Sequence, residues 1–65
     1  MNIPGLMDQS LRDLHALIAE CLAADDNAPG ERPFGVREYR DWRRQADAFE
    51  AELRTRNLAF NPIQW

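Results

Sequence analysis

The chain has 65 residues and a net charge of −3 at neutral pH. Its length excludes a second domain, because independently folding units usually contain about 50 residues or more. Hydrophobic residues make up 45% of the chain and charged residues 29%, a composition typical of a soluble folded protein rather than a disordered one.

An amphipathic pattern predicts a first helix over about residues 5–24. Its apolar side chains recur in steps of three and four, at Met7, Leu11, Leu14, Ile18 and Cys21. Leu6, Leu17 and Leu22 widen this stripe to an arc of roughly 160°. Such an arc is wider than one neighbouring helix covers, so a further covering element is expected. His15 projects to the polar side and is predicted to be a surface imidazole.

A turn-rich connection is predicted for residues 25–35. It contains two prolines, two glycines and Asn27, residue types that favour turns over regular structure. The adjacent Asp25 and Asp26 lack the alternating ligands of a calcium-binding loop. Their carboxylates are interpreted as solvating the loop or ending the helix.

A second amphipathic helix is predicted over about residues 36–56. Its apolar stripe is narrower than the first, roughly 80° wide, and consists of Tyr39, Trp42, Ala46, Phe49 and Leu53. Two acid-first pairs four residues apart, Glu50 with Arg54 and Glu52 with Arg56, support the helix by about 0.2–0.5 kcal/mol each.

The second helix is expected to stop at Asn57, which tolerates the left-handed conformation of a helix terminus. Leu58 then folds back over the last turn. The remaining tail, residues 57–65, is predicted to be extended because a proline biases the preceding residue away from helix. Its large apolar side chains are Phe60, Ile63 and Trp65.

The residues of catalytic and metal sites are nearly absent. Cys21 and His15 are the only cysteine and histidine, and they project to different sides of the first helix, so they form no local dyad. One residue of each type excludes an intramolecular disulfide and a zinc site within one copy. The sequence therefore predicts no catalytic residues, no metal, no cofactor and no enzymatic activity.

Charge is unevenly distributed along the chain. Residues 1–31 carry six acids and one arginine, whereas residues 32–65 carry seven arginines and five acids. This opposition favours docking of the two halves on each other, or of a second copy. The basic cluster consists of Arg37, Arg40, Arg43 and Arg44. It is interpreted first as a solvated or salt-bridged face, then as a site for an acidic protein, and last as a nucleic-acid site.

The cover of the wide apolar arc has two interpretations of equal weight. In one, the aromatic tail lies over Leu6, Leu17 and Leu22 in a monomer, with Phe60, Ile63 and Trp65 supplying the area. In the other, two hairpins pack face to face as a four-helix bundle. These six side chains are the predicted partner-binding residues.

The sequence thus predicts an all-α fold, a two-helix antiparallel hairpin with an extended C-terminal tail packed on it, alone or as a homodimer. The function expected is a non-enzymatic protein-interaction or adaptor module acting through the apolar helix face and the tail. A small nucleic-acid-binding regulator is the alternative. The single cysteine, the absence of a secretion signal at the start and the lack of a long apolar run predict a cytoplasmic protein outside the membrane.

Overall fold

The computed structural model describes residues 1–65 and is all-helical. A short 3₁₀ turn at Ile3–Gly5 precedes two α-helices, α1 (Asp8–Asn27) and α2 (Arg40–Thr55), and the chain forms no strand. The all-α two-helix hairpin predicted from the sequence is therefore confirmed. Neither helix combines the length and the apolar character that a membrane-spanning segment needs.

Ion pairs at both ends of the hairpin show that the helices run antiparallel. Arg56, just after α2, donates to Asp8 at the start of α1 over 2.9 Å. Arg37, before α2, donates to Asp26 near the end of α1 over 3.0 Å. Both pairs join the acidic half of the chain to the basic half, as the charge distribution predicted. The hydrogen bond from Arg37 lowers the pKa of Asp26.

The first helix begins later and ends later than predicted. Pro4 and Gly5 belong to the 3₁₀ turn, which is closed by the Leu6 N–H donating to the Ile3 carbonyl at 3.1 Å. The backbone of Met7 is extended, so this residue is the N-cap position that precedes α1, and its side chain is exposed. Its place in the predicted apolar stripe is therefore wrong, because the helical stripe begins one turn later.

The second helix begins four residues later than predicted. Gly35 adopts a positive φ of 65°, and its carbonyl accepts the N–H groups of Glu38 and Tyr39 at 3.0 and 3.1 Å. The bond from Tyr39 is the one with which a helix from residue 36 would begin, but the backbone of Tyr39 is extended (φ −108°, ψ 119°) and separates this turn from α2. Tyr39 is 63% exposed, so its predicted position in the core stripe is wrong.

The end of α2 confirms the predicted stop. Asn57 has a left-handed φ of 57°, its N–H donates to the Arg54 carbonyl, and the Leu58 N–H donates to the Leu53 carbonyl, both at 3.0 Å. These two bonds define a Schellman motif, which satisfies carbonyls that the helix leaves free. The predicted Glu52–Arg56 pair also forms, with 2.9 Å between Oε2 and Nε.

The core lies between the two helices and extends to the connection and the tail. Its buried hydrophobic residues are Leu11, Ile18, Cys21, Leu22, Val36, Ala46, Phe49, Leu53 and Ile63. Cys21 is a buried thiol as predicted, and burial raises its pKa, with Asp25 and Glu20 adding to the effect. No buried side-chain nitrogen or oxygen lacks a hydrogen-bond partner.

His15 is buried, which contradicts its predicted place on the surface. Only 6% of the residue is exposed, and its Nε2 lies 2.8 Å from Oε2 of Glu50. The ring of Phe60 stands edge-on to the imidazole with 5.6 Å between ring centroids. A helical projection of α1 alone shows neither Glu50 nor Phe60. These two residues belong to α2 and to the tail, and they cover the side of α1 that was predicted to face water.

Asp25 is also buried, although its carboxylate was interpreted as solvating or ending the helix. Its Oδ1 accepts the Phe34 N–H at 2.9 Å and its Oδ2 accepts the Val36 N–H at 2.7 Å. Two backbone donors of the connection are thus satisfied by one side chain of α1. The solvation interpretation is wrong for Asp25, because this residue anchors the connection against the helix.

Candidate functional site

An open apolar groove lies between the two helices on one side of the hairpin. It has a volume of about 500 Å³ and is lined mainly by Leu14, Leu17, Ile18, Trp42 and Phe49, with Met1 and Tyr39 also apolar and only Asp41 and Gln45 polar. We call these residues the apolar groove. Its volume lies within the range of about 300–1,000 Å³ found for ligand sites.

The helical repeat explains why these side chains meet. Leu14, Leu17 and Ile18 are spaced as neighbours on one face of α1. Trp42 and Phe49 stand two turns apart on α2, about 10 Å along the axis. Phe34 from the connection packs edge-to-face on Trp42, with 6.4 Å between ring centroids. The groove is therefore built from two rigid helices and braced from the connection.

The structure separates the three leucines that the sequence grouped on the edges of the α1 arc. Leu17 lies in the groove and is 51% exposed. Leu6 is half-buried against the core, and Leu22 is only 4% exposed. Of these three, Leu17 alone offers a large accessible surface to a partner. Leu22 belongs to the interior of the chain.

The three apolar tail residues have different environments. Ile63 is buried in the core. Phe60 is half-buried between His15 and the guanidinium of Arg54, which lies 5.3 Å from the ring centroid. Trp65 is half-buried, and the guanidinium of Arg43 lies 5.3 Å from its ring centroid.

The carboxylate of Glu50 lies where α1, α2 and the tail meet. Burial raises the pKa of this group, but the hydrogen bonds from His15 and from the Ile63 N–H outweigh burial and leave the pKa below its ordinary value. Arg54 adds a weaker attraction at 3.8 Å from Oε1. A depressed pKa keeps Glu50 ionised at neutral pH, so the group acts here as a structural acceptor.

A second cavity brings together all four arginines of the predicted basic cluster. Its volume is about 470 Å³, and its lining consists of Arg37, Arg40, Arg43, Arg44, Val36, Tyr39, Asp47 and Trp65. We call it the arginine cavity. Arg37 is already held by Asp26 and by the backbone oxygen of Trp65. Arg44 is 3.9 Å from Asp41.

Sequence reasoning missed part of both surfaces. Tyr39 lines the groove and also the arginine cavity, because its extended backbone takes it out of the helical stripe. Gly35 signals the turn that precedes it, since glycine readily adopts a positive φ. Met1 also lines the groove, and no periodicity could have assigned it there. The structure contains no cluster of three potential metal-ligating side chains.

Comparison with models of known protein families, with curated proteins and with solved structures finds no match to this chain. The physical character of the two surfaces therefore carries the functional argument.

Proposed function

We propose that the protein is a non-enzymatic interaction module that binds an amphipathic helix of a partner protein in the apolar groove. The observation that carries the proposal is the exposed Leu17, which lies between half-buried and buried apolar neighbours in a groove lined by two helices. A helix placed there would complete a three-helix arrangement, which is how helix-binding grooves work in general.

The dimensions of the groove suit two turns of helix. Trp42 and Phe49 are separated by about 10 Å along α2, so a partner helix can place apolar side chains three or four residues apart against them. Asp41 at the edge of the groove keeps 94% of its side chain exposed. A lysine or arginine on the partner helix can therefore pair with Asp41 while its apolar face is buried.

The tail has a different part in this proposal. Ile63 is buried and Phe60 packs against His15, and we propose that the tail stays docked in solution as the third cover of α1. The monomer then keeps the groove open on the opposite side. Homodimerisation into a four-helix bundle would instead place a second copy in the groove, and this outcome is tested below.

We also propose a reducing, cytoplasmic setting. Cys21 is free and buried in the core, so the fold is stabilised by packing rather than by a disulfide. Small domains of oxidising compartments usually depend on disulfides.

The first experiment is site-specific photo-crosslinking in the cells that produce the protein. A photoreactive residue replaces Leu17 in the groove or, as the matched control, Ala16, which is exposed beside Phe60 on a different side of α1. Crosslinked peptides identify the segment that occupies the groove. We expect crosslinks from position 17 to a helical segment with basic residues, and none to that segment from position 16.

Binding of the identified segment, made as a synthetic peptide, is then measured by calorimetry. Leu17→Glu should weaken binding at least about tenfold, because it places a charge in an apolar contact worth about 1.4 kcal/mol or more. Ala16→Glu should leave binding unchanged. Crosslinks from position 17 that reach only a second copy, with a sedimentation mass twice that of one chain, would replace this proposal with the homodimer.

A further inference from the structure

A row of cationic side chains follows one side of α2 within the arginine cavity. Arg40, Arg43 and Arg44 have the spacing of helix neighbours and are followed one turn later by Asp47. From Arg40 to Asp47 the row covers about 10 Å along the helix axis. The cavity is thus long enough for a small organic molecule and is cationic along most of that length.

Two of these guanidinium groups have no carboxylate partner. Neither Arg40 nor Arg43 takes part in any of the ion pairs within 4.0 Å, although every other arginine of the second half does. The contact that Arg43 makes is with the ring of Trp65. Unpaired cations that converge on one cavity favour an anion, and planar guanidinium groups suit phosphate oxygens through paired hydrogen bonds.

The cavity also offers surfaces for the rest of a ligand. The ring of Tyr39 lies so close to Gly35 that a Cβ there would come within 2.8 Å of it, and 63% of Tyr39 remains exposed. An aromatic ring of a ligand can stack on that exposed surface. Asp47 at the other end is an acceptor for a ligand hydroxyl or amino group and repels a second phosphate.

We propose that the arginine cavity binds a small organic phosphate, a phosphomonoester attached to a ring-bearing group. The phosphate contacts Arg40 and Arg43, and the ring packs on Tyr39. A phosphate is favoured over a carboxylate because a phosphomonoester carries about two negative charges and three acceptor oxygens at neutral pH, which two free guanidinium groups can match, whereas a carboxylate carries one charge on two oxygens.

Charge favours this small ligand over nucleic acid. Arg37 is already neutralised by Asp26, Asp47 closes one end of the cationic row and Asp41 lies near Arg44, and the chain has a net charge of −3. A polyanion that extends beyond the cavity would meet acidic side chains, whereas nucleic-acid-binding domains usually present a continuous basic footprint. A single phosphate needs only the two unpaired arginines.

The test is a heteronuclear NMR titration of the whole chain at low salt with adenosine monophosphate. Parallel titrations use inorganic phosphate, adenosine and a single-stranded oligoadenylate. We expect saturable shifts at Arg40, Arg43 and Tyr39 with a Kd of about 1 mM or tighter for the monophosphate. Inorganic phosphate should shift the arginine signals more weakly, and adenosine should not shift them.

Three variants locate the binding. Arg40→Gln and Arg43→Gln should each raise the Kd of the monophosphate about tenfold, the effect of losing one charge-assisted hydrogen bond. Arg12→Gln is the matched control, since Arg12 is exposed on α1, is likewise unpaired and is absent from the cavity. Its Kd should be unchanged. Circular dichroism verifies that each variant remains helical.

Two results would overturn the proposal. One is the absence of saturable shifts in the wild-type chain, a readout that needs no variant. The other is an oligoadenylate that binds more than about tenfold tighter than the monophosphate, which would assign the cavity to nucleic acid. The Leu17→Glu variant should bind the monophosphate normally, so failure of the groove proposal and failure of this proposal are distinguishable.

Discussion

The carboxylate of Glu50 in α2 accepts the backbone N–H of Ile63 in the tail at 3.0 Å. The same oxygen lies 2.8 Å from Nε2 of His15 in α1. One side chain thus links the three segments of the chain, and it does so inside the protein, where losing a partner costs more than at the surface.

Replacing Glu50 with Gln should destabilise the protein by about 2–3 kcal/mol, because the hydrogen bonds to His15 and Ile63 lose their charged acceptor. Urea denaturation followed by circular dichroism measures this change, and the fluorescence of Trp65, isolated by the substitution Trp42→Phe, monitors the tail. Glu20→Gln is the control, since Glu20 is exposed and makes no ion pair. Equal stability of the two variants would show that the Glu50 contacts contribute nothing.

Acid should weaken the fold through the same group. The pKa of Glu50 is depressed in the folded state, so the unfolded chain binds its proton more readily. The stabilisation is fully present above the ordinary glutamate pKa of about 4.3 and is lost as the pH falls through the folded-state value. Unfolding free energies measured from neutral pH down to about pH 3 should decline in wild type and decline less steeply in Glu50→Gln.

The adjacent aspartates Asp25 and Asp26 should respond differently to the same substitution. Asp25→Asn should cost about 2 kcal/mol, since a neutral amide oxygen replaces a buried carboxylate that accepts two backbone N–H groups. Asp26→Asn should cost less than about 1 kcal/mol, because its partner Arg37 is exposed. Thermal unfolding of both variants measures the difference. A larger loss from Asp26→Asn would contradict the anchoring role of Asp25.

Asn57 should be replaceable by glycine but not by alanine. The left-handed conformation costs a residue with a Cβ about 1–2 kcal/mol, and the short polar side chain of asparagine offsets part of this cost by local hydrogen bonding, which alanine cannot do, so Asn57→Ala should lower the midpoint of urea unfolding. Asn57→Gly should keep or raise the midpoint, since glycine adopts this conformation freely. The same midpoint for both variants would be inconsistent with a Schellman stop.

Much of the fold could be predicted because it depends on neighbours in the chain. The three-four spacing of Leu11, Leu14 and Ile18 requires a helix to place them on one face, and the core contains or contacts all three. The stop at Asn57 is equally local, since its hydrogen bonds return to residues within the last turn. Local geometry was therefore sufficient for two helices, an all-α hairpin and one helix terminus.

The candidate surfaces were less predictable. The sequence shows that the four arginines are close together in the chain. It does not show that Arg40 and Arg43 lack an ion pair, because this depends on which carboxylates the fold places near them. Among the predicted partner-binding residues, only Leu17 lies in the groove, whereas Leu22 from the same set is buried. Position on one helix does not determine exposure, because exposure depends on what packs against that helix.

The sequence by itself determined the periodic apolar stripes, the turn residues and the opposite charge of the two halves, which together predict two helices and favour their antiparallel docking. Only the tertiary structure decided that His15 and Asp25 are buried and that Tyr39 is exposed. The physical reason is distance along the chain. His15 contacts Glu50, which is 35 residues away in the sequence. A spacing of three or four residues carries no information about a contact between residues so far apart.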